Sequence, residues 1–287
     1  MSKSLDLPSS LGSDIFRILH HILLVLCRRV IFAAPSLKIS VYFSFIIFGP
    51  FLKDVRLIPD TSLSLRIHTM NTYISQLGWS WSIFLLTPFV YLTSLIYARG
   101  HYGLIIRHLL RLLVASVIWY IIKSIFIRFE TLTGTCKPSD TRGVMRQACR
   151  SAARYPWQEG HTFLYLYALL VINEEVKLYD ECWKKVEDAS KLHPTRAESS
   201  LTINQNRIKM FSKPIGMFYF ALAALTVLWE FMLLSTALHF YNVLHKLLAA
   251  TLAVFFWLIT YRVWFRMNHG STLAPCSPGE GFIHFYN

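Results

Sequence analysis

Six apolar runs alternate with basic, polar stretches along the chain, at 39–52, 77–97, 109–127, 162–176, 214–238 and 247–265. A membrane-crossing helix needs about 20 mostly apolar residues, with a lower limit near 17. The second, third, fifth and sixth runs meet that length. The first and fourth fall short unless their flanks contribute. The fourth decides most, because without it every later segment changes sides of the bilayer. Segment 13–35 is patterned differently. Arg17, His20, His21 and Arg28 fall within about one third of a helix circumference at roughly 100° per residue. That is an amphipathic helix suited to a membrane surface, with Arg29 outside the stripe. Segment 190–206 is polar and reads as a loop or a short surface helix. The pattern therefore predicts an all-α polytopic membrane protein of about six transmembrane helices plus an N-terminal amphipathic helix. Its predicted divisions are 1–36, a membrane domain at 37–266, and a tail at 267–287.

Composition agrees. Of 287 residues, 54% are hydrophobic and 15% aromatic, and the mean hydropathy is +0.42. Those values belong to the membrane class. The net charge of +13 comes from basic residues that flank apolar runs, where they set topology and meet anionic lipid. No basic patch interleaved with exposed aromatics stands apart from the runs, so no nucleic-acid partner is expected. With six crossings, 18 of the Lys and Arg lie on the side of the two termini and 10 on the other, with Lys123 inside a run. The bias makes both termini cytosolic and puts 128–160 on the far side. No secretory-signal pattern stands at the start.

None of the five cysteines forms a C-x-x-C pair, which argues against a zinc site, and no metal or cofactor is expected. Cys136 and Cys149 share one polar loop. If that loop faces an oxidising compartment they are a candidate disulfide, stabilising by about 3 kcal/mol in the chain-entropy model. Glu230 and Lys123 lie inside runs, where charge is costly. Either they pair, or Lys123 snorkels and Glu230 is protonated.

No internal repeat, Gly-rich phosphate loop, H-E-x-x-H or nucleophile elbow is present. The candidate chemistry is histidine. His161 stands where a polar stretch meets the fourth run, and His239 and His245 lie in the break between the fifth and sixth. Six crossings put these on one side. Two histidines can transfer a phosphoryl group without metal: one attacks phosphorus as the neutral imidazole, the other protonates the leaving oxygen. An imidazole pKa near about 6.5 keeps both forms accessible. Lys246, with Tyr241 close by, is the candidate group for holding phosphate. A boundary histidine is also, and more commonly, just an amphipathic ring at an interface.

Several strings resemble the fat storage-inducing transmembrane protein family. They are Trp79-Ser-Trp81 with Leu86-Thr-Pro88-Phe, the run from Leu112 through Trp119 and Ser124, Thr133-Gly134-Thr-Cys136, Cys149, Gly160-His161-Thr-Phe-Leu and Glu174-Glu175. Thr236-Ala237 through Asn242 and Lys246, and Thr260-Tyr261-Arg-Val-Trp264, continue the match over about 37–266. The resemblance implies a six-span endoplasmic reticulum protein with both ends cytosolic, acting in lipid droplet formation. It also implies cleavage of fatty acyl-CoA into acyl phosphopantetheine and adenosine 3′,5′-bisphosphate, by histidines akin to those of lipid phosphate phosphatases. Membrane lipid, fatty acyl-CoA and neutral lipids are then the expected partners.

Two positions depart from the family pattern. Glu159 stands where the family has a serine, two residues before His161, and Tyr241 stands where it has its second histidine. A phenol with a pKa near about 10 is a poor nucleophile. On one reading, His161 is acid or base, His239 or His245 is the nucleophile, and the site is lumenal. The i+4 step from Tyr241 keeps His245 near the family's catalytic face and favours it. The alternative is a catalytically silent relative that binds neutral lipid or partner proteins. A small transporter built on Glu230 and Lys123 lacks the broken span pair expected of one.

Overall fold

The computed structural model describes residues 34–54, 74, 77–97, 101–133, 158–192, 199–239, 243–267 and 274–278; at 50–54, 97, 130–133, 158–159, 178–192, 199–209 and 239 it describes the backbone alone. Among the described residues there are six helices: α1 (Pro35–Asp54), α2 (Gly78–Tyr97), α3 (Tyr102–Thr133), α4 (Gln158–Leu192), α5 (Ser199–His239) and α6 (Val243–Trp257). α6 continues through a π-helical turn, Leu258–Val263, and a 3-10 turn, Trp264–Arg266. No described residue is in a strand. This is an all-α polytopic membrane protein. Gly78–Ile96, Tyr102–Phe129, Met210–Leu238 and Val243–Arg266 are each long and apolar enough to cross a bilayer, while the apolar part of α1, Pro35–Gly49, is shorter.

Each apolar run lies in its own helix, and the helices overrun the runs because backbone hydrogen bonding does not stop where hydropathy falls. Segment 190–206 shows this. Residues 190–192 end α4 and residues 199–206 begin α5; 193–198, the middle of the segment, lie outside the described residues. The amphipathic segment lies outside them too, apart from its last two positions. α2 and α5 carry Pro88 and Pro214 without ending, each at the cost of one backbone hydrogen bond.

α4 is the axis of the bundle, packed against α2, α3, α5 and α6. From Phe163 to Val176 every side chain except Glu174 is buried. That explains its weak hydropathy: other helices, not lipid, surround it, so Asn173 and Glu175 are tolerated. The outer helices carry the opposite signature, with Phe48, Phe84, Leu113, Met217 and Phe255 exposed as a lipid-facing coat. Tryptophans lock the middle. Trp79 stacks on Trp119 and Tyr167 and donates Nε1–H to Ser116 Oγ at 3.2 Å. Trp229 stacks on Tyr165 and donates to Ser82 Oγ at 3.0 Å.

Pairs of contacts set the helix directions. Phe126 meets Phe163 and Arg111 meets Glu175, so α3 and α4 are antiparallel. Lys38 meets Glu230 and Gly49 meets Ala237, so α1 and α5 are parallel. Lys246 meets Ala237, nine positions earlier, so the chain reverses between α5 and α6. At Gly49 a Cβ would lie 3.0 Å from the Ala237 carbonyl oxygen and 3.3 Å from its carbon. Backbone cannot yield as a side chain can. Gly49→Val will therefore destabilise by about 1–3 kcal/mol, seen as a lower melting temperature in detergent. Gly103→Ala, which meets nothing within 4 Å, is the control and will be neutral or stabilising. Equal effects would refute close packing of α1 on α5.

Candidate functional site

Helix geometry decides which candidates meet. Glu175 of α4 accepts a hydrogen bond from Tyr261, in the π-helical turn after α6, at 2.9 Å. From that shared level His161 lies 14 positions back along α4, about 21 Å, and Lys246 lies 15 back along α6, about 22 Å at 1.5 Å per residue. α4 and α5 are separated by only six residues and meet at Tyr165 and Trp229, so they are antiparallel. α6 follows α5 after three residues, and its continuation reaches Glu175 at Tyr261. α4 and α6 therefore run in one direction, and His161, His245 and Lys246 stand toward one end of the bundle. Fourteen residues are within about 40° of four full turns. His161 therefore shares the α4 face of Glu175, the face that meets the α6 strand of chain.

The electrostatics of this end suit an anion. α4 and α6 both begin here, and helix N-termini present unsatisfied N–H groups and partial positive charge. α5 ends here, with partial negative charge, and Lys246 meets it: buried Nζ donates to the Ala237 carbonyl at 3.0 Å. His161, in the first turn of α4, is only 4% exposed and lies beside the Tyr165 ring. His245, in the first turn of α6, is half-buried. His239 is the last residue of α5; Tyr241, Cys136 and Cys149 lie outside the described residues, as does the side chain of Glu159. The structure thus places His161, His245 and Lys246 toward one end of the bundle. Lys246, the candidate group for holding phosphate, makes one bond that closes the end of α5.

The membrane-embedded charges have other partners than either sequence reading supplied. Glu230 Oε1 accepts from Lys38 Nζ at 2.9 Å and from Tyr42 Oη at 2.8 Å, both on α1. Lys123 instead lies over the Trp119 ring, 4.7 Å from its centroid.

A second polar cluster, at the opposite end, was not anticipated. The Arg111 guanidinium grips Glu175 with two bonds, Nε to Oε1 at 2.9 Å and Nη2 to Oε2 at 2.6 Å. Arg111 Nη1 contacts His108 Nδ1 and donates to the Cys276 carbonyl at 3.2 Å, while Arg107 Nε donates to the Ala274 carbonyl at 2.8 Å. The segment after α6 is thereby docked on α3. Arg262 pairs with Glu174 at 2.7 Å. Glu174-Glu175 at the end of an apolar run was the available signal: carboxylates there require cationic or hydrogen-bonding partners.

A polytopic helical membrane protein with an anion-suited, histidine-bearing end is the class these features define. No protein-family model matches the chain, and no solved structure matches it. Curated relatives do. The human protein named acyl-coenzyme A diphosphatase FITM2 is 30% identical over 239 residues, covering 80% of this chain and 82% of the human one. The pig protein of that name gives the same figures. The Xenopus tropicalis protein, also of that name, is 29% identical over 240 residues, 80% of each chain. The chain belongs to the fat storage-inducing transmembrane family.

Proposed function

We propose that the protein is an acyl-CoA diphosphatase of the endoplasmic reticulum membrane, serving lipid droplet formation, with cytosolic termini and a lumenal site at the His161 end. The observation that carries this is the placement of His161 and His245 in the first turns of two parallel helices, toward one end of the bundle. The diphosphate of fatty acyl-CoA is the anion that end suits. In the proposed step a ring nitrogen of His245 attacks one phosphorus, the bond to the bridging oxygen breaks, and His161 protonates the leaving phosphate. Water, deprotonated by His161, then releases the phosphoryl group from His245. The products are acyl 4′-phosphopantetheine and adenosine 3′,5′-bisphosphate. His245 suits the nucleophile better than His239, because His239 ends α5, where partial negative charge repels phosphate.

A second reading has its own observation. A groove of about 270 Å³ between α1 and α5, lined by Tyr42, Phe45, Glu230 and Leu234 among others, is apolar with one carboxylate. It supports a silent relative that binds neutral lipid. Purified protein given oleoyl-CoA separates the two. We expect both products, with His245→Ala losing activity at least about 100-fold, the scale of a missing catalytic group, and His239→Ala losing little. Undiminished activity in both variants and in the double variant would remove the histidine nucleophile. No cleavage by wild type, with bound lipid retained, would establish the second reading.

A further inference from the structure

Thr162 follows His161 in the first turn of α4 and is 1% exposed. Its hydroxyl is fully covered and makes no hydrogen bond. Six other helical Ser and Thr hydroxyls behave differently, although the Tyr167 phenol is also buried and makes no hydrogen bond. Ser82, Thr93, Ser116, Thr226, Thr236 and Thr260 each donate to the carbonyl four residues back, at 2.7–3.1 Å. That bond is available to Thr162 too, because Gln158, four back, is already helical. Threonine in a helix chooses between a rotamer that makes this bond and one that does not. Here it takes the second, and forgoes the ordinary partner. A buried hydroxyl left unsatisfied costs about 1–3 kcal/mol and calls for an explanation.

The location supplies one. Cα–Cβ bonds on a helix tilt toward its N-terminus, so the Thr162 side chain leans toward the end where His161, His245 and Lys246 stand. Helix N–H groups there need an acceptor, and a hydroxyl can add one more donor. Resting on the diphosphatase reading, we propose that Thr162 is a substrate-binding residue whose hydroxyl donates to a non-bridging phosphate oxygen of the acyl-CoA diphosphate. It thereby stands in for the hydroxyl missing at Glu159. No bond is made or broken at Thr162 itself.

Thr162→Val keeps the shape and removes only the hydroxyl; Thr162→Ser keeps the hydroxyl. With oleoyl-CoA, Thr162→Val will lower kcat/KM by about 30-fold, the scale of one hydrogen bond to a charged group. It will weaken adenosine 3′,5′-bisphosphate binding by a similar factor. Its melting temperature will equal or exceed that of wild type, since an unsatisfied buried group is gone. Thr162→Ser will stay within about threefold of wild type. Wild-type kcat/KM and product affinity in Thr162→Val, with wild type active, would overturn the proposal while leaving the diphosphatase reading intact. An inactive wild type would overturn both.

Discussion

Removing either partner of the Arg111–Glu175 pair will destabilise the bundle by about 3–5 kcal/mol. Their side chains are 0% and 1% exposed, and every bond between them is short. Glu175→Ala leaves a guanidinium buried without its counter-ion, since water cannot replace the carboxylate. Arg111→Ala leaves a buried carboxylate with, among the described residues, Tyr261 donating to it, and also releases the Cys276 carbonyl. The double variant will cost less than the two single losses added together, because neither ion is then left unpaired. The measurement is a double-mutant cycle on thermal or denaturant unfolding in detergent. A coupling energy near zero would show that the pair is ornamental. Replacing both by leucine or methionine is expected to restore much of the loss, as buried ion pairs rarely outdo well-packed apolar groups. The pair ties α3 to α4 and, through Tyr261, to the turn beyond α6.

How much of this was legible in the chain depended on what each helix touches. α2, α3, α5 and α6 face lipid along much of their length, so hydropathy finds them. α4 does not face lipid, and its apolar run therefore looked too short, although it is the most thoroughly buried helix. The charged partners were illegible for a different reason. Glu230 and Lys38 are 192 positions apart and Arg111 and Glu175 are 64 apart. Nothing in spacing joins such residues. Only helix direction and level do, and Arg111, at the start of the third apolar run, looked like one more flanking basic residue. Lys123 was within reach of a better reading, since Trp119 is four positions before it and i, i+4 neighbours share a helix face. Counting crossings, an argument about order along the chain, is what puts the candidate histidines on one side in the sequence. The depth of His161 was not legible: it is buried, where an interfacial ring was expected.

That depth changes how His161 should be tested, and the expected effect is the largest in the protein. Loss of a positioned acid–base imidazole lowers rate by about 10²–10⁴-fold. His161→Ala would also leave a void beside Tyr165, so a lost activity could be blamed on a lost fold. His161→Asn avoids this, because the amide is polar, of similar reach, and cannot carry a proton at neutral pH. We expect His161→Asn to accumulate as a monodisperse protein with a melting temperature within a few degrees of wild type, yet to cleave oleoyl-CoA at least about 100-fold more slowly. The Arg111–Glu175 variants should show the reverse pattern: low yield and melting temperature, but near-normal turnover per folded molecule. The two ends of α4 would then separate chemistry from stability. If His161→Asn retains more than about a tenth of wild-type kcat/KM, His161 is not the proton donor, and the chemistry must be sought elsewhere at that end. If instead it fails to fold while Glu175→Ala folds and is inactive, the assignments of the two ends are interchanged.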